Sequence, residues 1–253
     1  MFNILRKTSS NVLTCRNCRK IRYKYILTIL IFCIVTGCRK DKPSTAEATP
    51  ENGNSSFNNA GITKTEHSIK DDFATLKTAL MNSNPEVAAD MVTEGTHEMY
   101  EKARKLALDS SGVDFESIDQ VEVVLVFQLR FMIEKSRLMN MTGRDIFEYG
   151  VAEGLVKKDV LESMEINQVQ YDGDNAFATI TNNGQAENDI LFKFHREDGN
   201  WKLDMVELIK LGNRAFDAIR ESRGMSKTEM AIFLLENTYN EPIPPSILNG
   251  PIK

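Results

Sequence analysis

The chain has four cysteines, Cys15, Cys18, Cys33 and Cys38, and none in the 215 positions that follow. Whatever folds beyond position 38 therefore has no disulfide, no thiolate zinc site and no thiol nucleophile. Cys15-Arg-Asn-Cys18 has the spacing of half a zinc site, but no second half stands near it. Equally missing are a Gly-rich phosphate loop, a G-x-S-x-G elbow and an H-E-x-x-H pair, so no common catalytic pattern identifies a reaction. Basic residues are scarce after Gly37: the total of 31 Lys and Arg less the seven before that point leaves 24 against 36 Asp and Glu, a formal charge of −12. An acidic body of that kind argues against nucleic acid as a partner, since phosphate binding needs a basic face. What is present, 42% apolar and 26% charged residues, is the composition of an ordinary globular protein.

Charge and hydropathy change sharply along the first 38 residues. Arg6, Lys7, Arg16, Arg19, Lys20, Arg22 and Lys24 precede any acidic residue. The apolar run Tyr25 to Gly37 follows, about a dozen residues against the roughly 20 that a helix needs to span a bilayer. Basic segment, short apolar segment and then small residues are the three parts of a signal peptide. The run ends in Val35-Thr36-Gly37-Cys38, which resembles the lipobox of bacterial lipoproteins. That resemblance implies cleavage after Gly37 and acylation of Cys38, with two or three chains giving a lasting membrane anchor where one would not. The alternative for the same segment is an uncleaved signal anchor. Asn54-Ser-Ser and Asn140-Met-Thr match glycosylation sequons, which beside a lipobox are chance matches.

From residue 38 to 67 almost nothing is apolar, so the segment cannot bury a core and is expected to act as a tether. Its typical reach, at about 5 to 6 Å times the square root of length, is near 30 Å. Residues 68 to 225 read as one α+β domain, and 226 to 253 as a C-terminal helix with a Pro-rich tail.

The body begins with helical spacing. Ser68 reads as an N-cap for Ile69, Phe73, Leu76 and Leu80; Asn84-Pro85 starts a second helix, and Thr96 to Leu108 makes a third. Between Val123 and Ile133 only Gln128 and Arg130 are polar, which predicts a helix buried nearly all round and continuing through Asn140. Thr142 with Asp145 opens another. The period then changes to two: Met164 to Tyr171, Ala176 to Thr181, Asp189 to Arg196 and Trp201 to Val206 are separated by Asp172-Gly-Asp-Asn, Asn182-Asn-Gly and Glu197-Asp-Gly-Asn, the signature of an antiparallel meander. A helix with Leu208, Leu211, Ala215 and Ile219 comes next, and Ser226 with Glu229 is a capping box for a last one through Tyr239.

Helices followed by a meander that ends in Phe192-Lys-Phe-His-Arg-Glu-Asp-Gly-Asn-Trp-Lys-Leu-Asp204 resemble an NTF2-like (cystatin-like) α+β domain over about Ser68 to Glu221. The extra helices before the sheet and after it depart from that family's pattern. The resemblance implies N-terminal helices packed on the meander and an apolar cone. Its lining here would be Phe192, Phe194, Trp201, Leu203 and Met205, which are the ligand-pocket candidates.

Enzymes of that superfamily use an Asp, His or Tyr in the cone. Strand alternation turns Asp204 and His195 away from the apolar face, so both are expected on a solvated surface. His97 and Glu101 share a helical face, where a surface ion pair is expected rather than a metal site, two ligands being too few. Asp172-Gly-Asp-Asn lacks the closing Glu of a calcium loop and reads as a turn. Met132, Met139, Met141, Phe127 and Phe131 cluster in and after the central helix, where packing is the default and an adaptable binding surface the alternative. No catalytic residue, metal site or cofactor is expected. The expected function is that of a lipid-anchored, extracytoplasmic binding or accessory protein of the bacterial envelope. Its membrane contact is Cys38, and its partner is a small apolar ligand or an envelope protein. The alternatives are an envelope-assembly factor docking through its tail, and an isomerase or cyclase with a buried acid.

Overall fold

The computed structural model describes residues 68–155 and 158–253. The expected signal segment, cleavage after Gly37, acylation of Cys38 and tether all fall outside the described residues. Within them the chain is a mixed helix and antiparallel-sheet domain, and no described helix is long and apolar enough to cross a membrane.

Helix α1 (Ile69–Met81) starts at a capping box in which Ser68 and Asp71 satisfy each other's backbone N–H groups. Its apolar stripe meets the sheet, with Phe73 edge-to-face against Phe192 at 5.8 Å and Phe194 at 6.4 Å. Asp72, on the same buried face, accepts the Trp201 N–H at 2.8 Å and so ties α1 to the last strand. Helix α2 (Pro85–Asp90) follows with the Asn84 side chain as cap and proline in its first turn. Helix α3 (Glu94–Leu108) lies beside α6 (Gly143–Ala152), which opens at the Thr142–Asp145 capping box.

Between them run α4 (Gln120–Met132) and the short α5 (Lys135–Met139). All of α4 except Glu122 and Met132 is buried, as its composition predicts. Its continuation to Asn140 is a correction: Ile133 is extended (φ −112°, ψ 128°), and the chain breaks there before α5. Neither Asp119 nor any other local side chain caps the start of α4; Asn213, from a distant helix, accepts the Val121 N–H at 2.8 Å.

After α7 (Lys158–Glu162) come β1 (Met164–Asp172), β2 (Asn175–Asn182), β3 (Gln185–Glu197) and β4 (Asn200–Leu203), paired in chain order. Asn183-Gly184 and Asp198-Gly199 both have left-handed φ values, the requirement of a two-residue turn that matches strand twist. Residues 91–93 flank β4 on its open side, with the Leu203 N–H donated to Met91 and the Thr93 N–H donated to Leu203. The expected strand through Val206 stops at Leu203, because Asp204 takes the Val206 N–H at 3.0 Å and starts helix α8 (Met205–Arg223). The third strand likewise begins earlier than expected, at Gln185.

Helix α9 (Lys227–Tyr239) packs along α4, burying Met230, Ala231 and Leu235. Its first turn takes the Glu229 carboxylate of its own capping box and, from the loop before α4, Glu116, which accepts the Lys227 N–H at 3.1 Å. Beyond it the Pro-rich strap returns to the body. The strap buries Ile243 and Ile247 and ends against Arg130, a residue with no exposed surface. All five N–H donors of that guanidinium reach main-chain carbonyls: Leu106 and Ala107 at 3.0 Å, Asp109 at 2.7 Å, Ile247 at 2.8 Å and Leu248 at 2.7 Å. The cation also sits 5.2 Å above the Phe115 ring, and burial lowers its pKa from the ordinary arginine value. The strap reciprocates: the Ile252 N–H is donated to the Arg130 carbonyl at 3.0 Å, which caps the end of α4.

Candidate functional site

The five ligand-pocket candidates separate in the structure. Phe192 and Phe194 are core residues filled in by Phe73. Trp201 is held between the Tyr171 ring at 5.6 Å and the Arg196 guanidinium at 5.7 Å. Leu203 is buried opposite Phe194. Met205 lines an apolar cavity, and it does so from the first turn of α8 rather than from a strand.

That cavity, of about 40 Å³, lies under α4, bounded by α1, α3 and α6. Its wall is apolar, with Leu80, Leu129, Ile146, Phe147 and Val151 among the lining residues, and no carboxylate, imidazole, amine or guanidinium contributes to it. Its polar side chains are Gln128, Tyr100 and Tyr149, of which Gln128 is the most deeply buried. The helical register that buries α4 on all sides turns this amide inward, leaving it 2% exposed. The amide nitrogen donates to the Tyr239 hydroxyl at 3.2 Å and approaches the Met132 sulfur at 3.7 Å. The hydroxyl in turn donates to that sulfur at 2.9 Å. Burial pushes the Tyr239 phenol up to about 12, so it is a neutral donor throughout the physiological range. Gln128 Oε1 is left buried with no hydrogen-bond partner, the kind of atom that costs free energy unless something supplies a donor.

Three of the titratable expectations need correction. His97 is not a surface residue: it is 8% exposed, packed edge-on to Phe147, with Nδ1 at 3.5 Å from Glu94 Oε2. Glu101 pairs instead with Arg104 through two bonds of 2.7 and 2.9 Å, which hold its carboxyl below the usual range. The reason is the close approach of α3 and α6, which covers the His97 turn. Asp204 is also not fully solvated; its side chain is 17% exposed, engaged as the α8 cap and in an ion pair with Lys193 at 3.4 Å. His195 is half-buried, with Nδ1 at 3.3 Å from Asn175 Oδ1. None of these groups lines the cavity. Asp172-Gly-Asp-Asn forms the β1–β2 turn, with Asp172 paired to Asn175.

The methionine and phenylalanine cluster divides. Phe127 packs into the core against Phe115 at 4.8 Å, Met132 lines the cavity, and Met139 stands 60% exposed on α5. Sequence reasoning missed Gln128 and Tyr239 as partners. The signal for one was there, a lone amide in an otherwise apolar helix, but the hydroxyl that fixes it comes from 111 residues further on. Comparison with protein-family models, with curated proteins and with solved structures gave no match to this chain.

Proposed function

We propose that this is a lipid-anchored protein of the bacterial cell envelope whose NTF2-like α+β domain works by binding rather than catalysis, with a small apolar molecule as its ligand. The anchor rests on Val35-Thr36-Gly37-Cys38 after a basic and then an apolar segment. The binding role rests on one observation, a largely apolar cavity whose lining includes one amide and two tyrosines but no carboxylate, imidazole, amine or guanidinium. General acid–base chemistry needs a tuned carboxylate or imidazole at the reacting atom, and Asp204 and His195 are engaged elsewhere. The tail-docking alternative has less to work with, because Met230, Leu235, Ile243 and Ile247 are already buried against the chain's own body.

The experiment has two readouts on the full chain expressed in a bacterium. Incorporation of a labelled fatty acid is expected in the wild type and lost in Cys38→Ser; equal labelling of both, or none in either, refutes the anchor. Native mass spectrometry from nanodiscs is expected to show a small mass that disappears on denaturation, and a bare protein under both conditions refutes the ligand.

A further inference from the structure

What holds the C-terminal strap does not depend on which chain the strap belongs to. Its main chain is seated by the Arg130 guanidinium, which donates to the Ile247 and Leu248 carbonyls at 2.8 and 2.7 Å, and by the Arg130 carbonyl, which accepts the Ile252 N–H at 3.0 Å. The Lys135 N–H is donated to the Lys253 carbonyl at 3.4 Å, and Glu236 of α9 accepts the Ile243 N–H at 3.2 Å. Ile243 and Ile247 are buried in the seat, while Pro244, Pro245, Ser246, Leu248 and Asn249 stay exposed. Main-chain bonds for affinity and spaced apolar side chains for selectivity are the means by which a groove recognises a peptide. The joint to α9 adds a second observation. Asn240, Glu241 and Pro242 are exposed, and the chain turns back onto its own body through one non-glycine residue in the left-handed region, Asn240 at φ 52° and ψ 37°. That conformation is unfavourable for L residues, even though Asn bears it better than most, and Glu241, standing before a proline, favours extended backbone. Opening the turn at Asn240 therefore frees the strap as a unit.

We propose that the strap's seat is a peptide-binding site that also works in trans, and that its occupant there is the strap of a second copy of this chain, the two copies exchanging straps. The seat is matched to the spacing of Ile243, Ile247 and the carbonyls of residues 247 and 248, and another copy presents that same spacing. A reciprocal exchange re-forms every seat bond and closes with two-fold symmetry. No strap residue is among those lining the cavity, so the ligand-binding reading and this one stand or fall separately.

The test uses the full chain, expressed in a bacterium and purified in detergent, with a synthetic peptide of residues 240–253 as probe. Ile247→Asp, whose own strap cannot fill an apolar seat, is expected to bind one wild-type peptide in native mass spectrometry and to gain thermal stability from it. A peptide carrying the same Asp substitution is expected to do neither. Asn240→Val puts a β-branched residue at the left-handed turn. After isotope-labelled and unlabelled copies are refolded together, it is expected to shift the equilibrium at least about tenfold from monomer toward a mixed-isotope dimer. Asn240→Gly, which accepts that turn, is expected to lie no further toward dimer than wild type. Adding Ile247→Asp to Asn240→Val is expected to return the monomer. Failure of the wild-type peptide to bind and stabilise Ile247→Asp, or equal binding of both peptides, overturns the seat as a site in trans; this arm stands whether or not that variant folds unaided, since the peptide would then restore folding. An Asn240→Val protein as monomeric as wild type, or a dimer that survives Ile247→Asp, overturns the exchange.

Discussion

Removing the guanidinium at position 130 strands the main-chain acceptors that it bonds. A buried ion pair can often be exchanged for apolar residues at little cost, because both charged partners leave together. Among the described residues no carboxylate is hydrogen-bonded to the Arg130 guanidinium. Its acceptors are main-chain carbonyls, and substitution cannot delete them. The bonds to Ala107 and Ile247 are wholly buried, and each stranded acceptor costs about 1–3 kcal/mol, which makes the expected loss for Arg130→Met about 2–6 kcal/mol. A domain of this size loses about 2–4 °C in Tm per kcal/mol, so thermal unfolding followed by circular dichroism should show a fall of about 4 to 24 °C. Arg130→Lys keeps the charge but replaces a five-donor fork with three donors at one point, and should fall between. Deleting residues 247–253 tests the route. If the guanidinium acts through the strap, the double change costs clearly less than the sum of the two single ones. A Tm for Arg130→Met within about 2 °C of wild type, on the same scale, would refute the reasoning.

Two glycines of α6 should respond in opposite directions. A Cβ on Gly143 would lie 2.0 Å from the His97 carbonyl oxygen and 2.6 Å from the Glu101 nitrogen, so Gly143→Ala must push α6 off α3 and should cost at least about 1–3 kcal/mol in denaturant unfolding. A Cβ on Gly150 would meet only Leu155 Cδ1 at 3.8 Å, and Gly150→Ala should gain about 0.5–1 kcal/mol from helix propensity. In alkali, Tyr239 should be among the last tyrosines to ionise, since burial holds it at about 12. The folded state then binds that proton more tightly than the unfolded chain, so the stabilisation is complete below about pH 10 and is lost as pH rises toward the folded value. Phenolate absorbance should show this late step, and Tyr239→Phe should remove it together with part of the alkaline loss of stability.

Local chemistry made much of the fold legible. Ser68, Thr142 and Ser226 each open a helix where the sequence places one, because a cap and its N3 carboxylate are neighbours in the chain. The Asn-Gly and Asp-Gly turns mark two hairpins for the same reason. What failed to show was set by distant partners. Asp204 reads as one more strand residue until the following N–H groups need an acceptor, and His97 reads as exposed until α6 covers its turn. Arg130 was the least legible: it looks like an interruption in an apolar helix, and backbone carbonyls leave no mark on a sequence by which to predict its company. The cavity was hidden likewise, since the apolar residues of β3 and β4 fill the core while the void opens between helices.

The strap also governs when folding can finish. Helix α4, the most enclosed element, keeps an uncapped carbonyl end and an unsatisfied guanidinium until residues 247–252 arrive from more than 110 positions downstream. Contacts of such sequence separation form late and limit folding rate. A chain emerging from the ribosome N-terminus first would thus stay short of its native state until its last stretch is made. Under the envelope role proposed above, that delay would keep the polypeptide competent for passage across a membrane and postpone closure of the domain to the far side.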